Sequence, residues 1–128
     1  SQQEFENLAE LRELLETHAL RRAFENGDLA WEGRLVGAHH MLSVTEQQLQ
    51  NDDTRNATQW KHYDKEFHNA LISACGSTEL LDAHSAVFDR YLRYQIIAVI
   101  FRGQPAANEH RALRDAALSC DADHACAV

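Results

Sequence analysis

The chain has 128 residues, 45% hydrophobic and 25% charged, with one proline and five glycines. This is the composition of a globular domain with one core, and it excludes a disordered or fibrous chain. A formal net charge of −8, with twelve scattered basic residues, excludes a grip on a phosphate backbone by this segment alone. No run approaches the ~18 to 20 apolar residues of a membrane span, and the opening SQQEFENLAELRELLE is unlike a signal peptide, so a soluble cytoplasmic protein is expected.

Phe5, Leu8, Leu11, Leu15, Ala19 and Ala23 recur at steps of three and four, and Asn26-Gly27 supplies a stop, which predicts a first helix over about 3 to 26. Asp28 is placed to cap a second helix with an apolar face of Leu29, Leu35, Ala38, Leu42 and Leu49, ending in the polar loop QNDDTRNATQ. A third helix is expected from about Ala57 to Cys75, closed by Gly76. Ser77 then caps a fourth that reaches about Phe101.

Within the fourth, YLRYQIIAVIF has β-branched content but continues the helical phase of Leu80, Leu81, Val87, Phe88 and Tyr91, so helix is favoured over strand. Arg102-Gly103-Gln104-Pro105 breaks the chain, and Pro105 suits the first turn of a fifth helix to about Ser119. Asp121 is placed to cap a short sixth. The fold class is all-α, an antiparallel bundle of about six helices forming one domain over residues 1–128. The chain opens without Met in the middle of a helical pattern, so a preceding segment is expected.

Three cysteines, Cys75, Cys120 and Cys126, include no CxxC pair and are expected to be free thiols. Cys120, His124 and Cys126 straddle a helix cap and form no convincing metal set. His39-His40 diverge by ~100° on a helix, and His62 lies on a polar side, so all three are expected to face solvent.

Asp64 and His68 fall inside the apolar arc drawn by Trp60, Phe67, Ala70, Leu71, Ile72, Ala74 and Cys75. Their four-residue spacing stacks a carboxylate and an imidazole one turn apart. His110 adds a second imidazole on the inward stripe of Ala106, Leu113 and Ala117 in another helix. Two imidazoles and a carboxylate suit a divalent transition metal such as zinc, nickel, cobalt or manganese. Calcium or magnesium would want more oxygens. The alternative is that these groups only satisfy one another by hydrogen bonds.

Arg12, spaced by four and three from Leu8 and Leu15, places a guanidinium on a packing face, where leaving it unpaired would be costly. A small carboxylate effector bridging metal and Arg12 would satisfy both. An internal pair with Glu16 or Asp64 is the other reading. Arg93 is a second, lesser candidate for the effector.

The segments LRELLETHALRRA, DKEFHNALISACGSTELL and NEHRALRDAALSCDADHA together resemble the FadR-type C-terminal domain, FCD, of GntR-type transcription regulators, over nearly the whole chain. The resemblance implies metal ligation by Asp64, His68 and His110, and an effector cavity lined by Arg12. It also implies a fourth histidine ligand about six helical turns beyond His110, past the last residue; His124 comes too early to replace it. The final helix is therefore expected to be cut short, with metal binding weakened or lost. Ser77 stands where many members have asparagine. A homodimer that reads operator DNA through a preceding winged helix-turn-helix is likewise implied.

The expected function is that of a ligand-sensing regulatory domain and not an enzyme. A metal-dependent hydrolase or lyase is the first rival, because an open Asp-His-His site could activate water, but no further inward acid or base is evident unless Glu66 or Glu109 is mis-phased. A plain helical interaction module is the second.

Overall fold

The computed structural model describes residues 2–50, 57–102 and 104–127; for residues 50, 57, 95–102 and 104–106 only the backbone is described. Among the described residues six helices form an all-α bundle: α1 (Gln2–Asn26), α2 (Leu29–Gln50), α3 (Ala57–Ile72), α4 (Thr78–Arg102), α5 (Gln104–Leu118) and α6 (Ala122–Ala127). Most of the expected QNDDTRNATQ loop, and Gly103 of the later break, lie outside the described residues.

The predicted caps form. Asp28 Oδ1 accepts from the backbone N–H of Trp31 at 2.9 Å, Ser77 Oγ from that of Leu80 at 3.1 Å, and Asp121 Oδ1 from that of His124 at 3.1 Å. Gly76 takes a left-handed φ of +78°, although α3 already ends at Ile72 and closes through a tighter turn in which Cys75 N–H donates to Ile72 O. After α5 the left-handed position falls to Cys120 (φ 57°). Asp121 N–H reaches back to Ala116 O and Cys120 N–H to Ala117 O, the two bonds of a Schellman ending.

α3 is central, packing on α1, α2 and α4, while α5 packs on α2, α4 and α6. The core is built from Trp31, Leu35, Leu42, Trp60, Phe67, Leu71, Ile72, Phe88 and Leu92, all essentially without solvent contact. Trp31 Nε1–H donates to Leu71 O at 3.1 Å, satisfying a carbonyl in the last turn of α3. Its ring lies over Gly27, where a Cβ would stand 2.4 Å from Trp31 Cε3, so glycine is required by space.

The expected faces of α1 and α2 are buried or half-buried except at Leu11 and Leu29. The buried face of α1 is Leu8, Glu16, Ala19, Leu20, Ala23 and Phe24, with Leu11 42% exposed. Leu29, expected inward on α2, is 82% exposed. In α2 the phase is set by Trp31, which carries Leu35, His39, Leu42 and Glu46 inward. His39 is therefore buried rather than solvated, its ring edge-on to Phe67 at 5.4 Å, whereas His40 and His62 are exposed as expected.

Candidate metal centre

α3 and α5 bring Asp64, His68 and His110 together, as their helical phases predicted. All three are buried, and one ligand-type atom from each lies within 4.8 Å of the others. Asp64 Oδ1 is 2.9 Å from His110 Nε2 and 3.8 Å from His68 Nε2, and the two imidazoles meet edge to face with centroids 5.4 Å apart. Phe67 flanks both, 5.7 Å from the His68 ring and 5.6 Å from that of His110, so the two imidazoles pack in one aromatic cluster.

The outward nitrogens are held by two glutamates on other helices. Glu16 of α1 lies 2.5 Å from His68 Nδ1, and Glu46 of α2 lies 3.0 Å from His110 Nδ1. With both Nδ1 atoms engaged, both Nε2 atoms turn toward Asp64, as imidazole ligands sharing one ion require. Ligand atoms 2.0–2.1 Å from a tetrahedral ion stand roughly 3.3 Å apart, so small side-chain adjustments would close the set.

Charge points the same way. Three carboxylates, Asp64, Glu16 and Glu46, are buried against one partly buried guanidinium, that of Arg12. Two negative charges are left, which protonated imidazoles or one divalent cation would balance. Without a cation the proton does this at His110: burial works to push its pKa down, but the hydrogen bonds its ring donates to Asp64 and Glu46, and their charges, outweigh it and raise the value to about 10. Glu16 is held well below the ordinary carboxylate range. Burial opposes this, and the charge and hydrogen bond of His68, the approach of His84 and the charge of Arg12 prevail.

His84 of α4 is fully buried, stacked on Phe88 at 5.3 Å, with Nε2 3.4 Å from Glu16 Oε1. At His39, burial first and then the charge of Arg114, whose guanidinium is 3.4 Å from Nδ1, lower the pKa to about 4.

Beside the three ligands lies a cavity of about 180 Å³, lined by Arg12, Glu16, Tyr91, Glu109 and Cys126 among others. Arg12 donates to Glu16 Oε2 at 2.6 Å, the internal pair that was the alternative for it, and its guanidinium carbon sits 4.8 Å over the Tyr91 ring. Its Nε is buried with no partner among the described residues, so Arg12 keeps donor capacity beside the cavity. Arg93 is exposed on α4 and does not line this cavity. Glu109, although exposed, lines it, while Glu66, also exposed, does not.

Cys75, Cys120 and Cys126 are unbridged, and His124 is exposed. Among the described residues no fourth side chain joins the three-ligand group.

Sequence reasoning missed Glu46 and His84, and weighed Glu16 only as an internal partner for Arg12. Each repeats an apolar residue by a helical step: Glu16 lies eight after Leu8, Glu46 four after Leu42, His84 four before Phe88. The phase of Leu42 would have drawn Glu46 inward, and that of Phe88 would have drawn His84.

The chain matches the family described as FCD domain over residues 7–128. It belongs to the FCD family. Among curated proteins, this FCD domain is 38% identical over 120 residues to an uncharacterized HTH-type transcriptional regulator, BphR, of Paraburkholderia xenovorans (strain LB400), covering 91% of this chain and 49% of that protein. It is 28% identical over 97 residues to the HTH-type transcriptional repressor GlaR of Escherichia coli (strain K12), covering 76% and 43%. The chain spans about half the length of the curated relatives it matches. No solved structure matches it.

Proposed function

We propose that this FCD domain is the sensing half of a GntR-type transcription regulator. It binds a divalent transition metal through Asp64, His68 and His110 and a small organic carboxylate in the adjoining cavity against Arg12. The observation that carries the reading is the buried Asp64-His68-His110 set, with both outward imidazole nitrogens tied to glutamates and two carboxylate charges left to balance.

Bound metal would supply a fixed positive centre for an anionic guest, and Arg12 a planar fork matched to a carboxylate. Arg93, exposed and off the cavity, is given no role in this reading. The names of the two HTH-type relatives support a regulatory, non-enzymatic role, with operator DNA read by a segment outside this chain. In a cytoplasmic homodimer, an effector that binds one arrangement of the subunits better than another would shift operator affinity by that difference.

A thermal-shift screen of small organic acids, with and without zinc, tests this. At least one acid should raise the melting temperature only with the metal present, and less so in Arg12→Ala. Acids that stabilise neither form, or that act equally without metal and without Arg12, would remove the carboxylate part of the reading.

A further inference from the structure

The two histidine ligands are held alike, but the glutamates that hold them are not placed alike. Glu46 Oε2 meets His110 Nδ1. Glu16 divides itself: Oε1 takes His68 Nδ1, and Oε2 takes the Arg12 guanidinium that reaches the cavity. One carboxylate thus joins the group facing the anion pocket to a group facing the metal. Charge drawn toward Arg12 is withdrawn from His68, because both partners share one delocalised anion.

We propose that Glu16 is the joint between the two halves of the site, a positioning residue that fixes His68 with Nε2 toward the metal and makes metal affinity respond to whatever occupies Arg12. The inference rests on the metal reading above. Its sign follows from the geometry. An organic anion that neutralises Arg12 frees Glu16 to bond His68 more strongly, which makes His68 the better ligand, so anion and metal favour each other. Glu46 should share only the positioning role.

Zinc alone is a sufficient probe, with affinity measured by chelator competition and Arg12→Gln standing in for a neutralised guanidinium. Glu16→Gln and Glu46→Gln, which keep side-chain volume, should each weaken zinc binding about 10- to 100-fold. Arg12→Gln should tighten zinc several-fold alone and in the Glu46→Gln background, and change it far less in the Glu16→Gln background. A readout independent of any substitution is the long-range nitrogen–proton spectrum of the zinc-loaded wild type, where His68 and His110 should both carry the proton on Nδ1.

Equal effects of Arg12→Gln with and without Glu16, unchanged affinity in Glu16→Gln, or a His68 proton on Nε2 would each overturn the proposal while leaving the metal site standing. A wild-type protein that takes up no zinc overturns both.

Discussion

On the proposed reading, metal uptake at neutral pH expels a proton from His110. Its pKa is raised to about 10 because its two ring nitrogens face Asp64 at 2.9 Å and Glu46 at 3.0 Å. At pH 7 the neutral imidazole that a metal needs is then the rare form, and removing its proton costs on the order of a few kcal/mol at ~1.4 kcal/mol per pKa unit. The cost falls by that unit amount with each step in pH, so apparent zinc affinity should climb close to tenfold per pH unit between about 7 and 9. Calorimetry at pH 7 in buffers of different ionisation enthalpy reads the proton directly, as a heat that changes with the buffer. A heat independent of buffer, with affinity flat over this range, would show that His110 is neutral before metal arrives and would refute the electrostatic argument.

Without metal, stability should peak near pH 6 to 7. The raised His110 pKa contributes stability that is complete below about 6.5 and lost as pH rises through about 10. The His39 value near 4 contributes stability that is present above about 6.5 and lost as pH falls through 4, and the depressed Glu16 value adds to the acid loss. Urea midpoints at pH 4.5, 6.5 and 9 check this, and a midpoint still rising at pH 9 would contradict it. Gly27→Ala should destabilise by about 1–3 kcal/mol, since the new Cβ would meet Trp31 at 2.4 Å. In contrast, Gly33→Ala and Gly37→Ala, with nothing within 4 Å, should each stabilise by about 0.5–1 kcal/mol in the same denaturation assay. Cys120→Gly should also raise the urea midpoint, by up to about 1 kcal/mol, by relieving the left-handed φ of 57° at the end of α5.

Element order was legible in the sequence because punctuation is local. Asp28, Ser77 and Asp121 cap helices within three residues of themselves, and Gly76 ends a turn by its own φ. The Asp64-His68 pair was legible for the same reason, one turn apart on an apolar arc. Its partners were not. Glu16 meets His68 across 52 residues and Glu46 meets His110 across 64, so a glutamate inside a helix looked like an ordinary solvated charge until the fold supplied its imidazole.

The phase errors are confined to single positions. Leucines are common on exposed helix faces, so Leu11 and Leu29 were placed inward, although Leu8, Ala19 and Ala23 of α1 and Leu35 and Leu42 of α2 are buried as expected. His39, four after Leu35 and three before Leu42, lies inside that same buried arc. Arg12 was legible in position but not in state: both readings of it hold in part, since it is paired with Glu16 and still lines the cavity.

Elemental analysis of the purified protein after loading with zinc, nickel or manganese and removal of excess metal tests the central claim most directly. The account predicts one divalent ion per chain in the wild type and none in Asp64→Ala or His110→Ala. An ion retained equally by all three, or by none, would contradict a metal centre built from Asp64, His68 and His110.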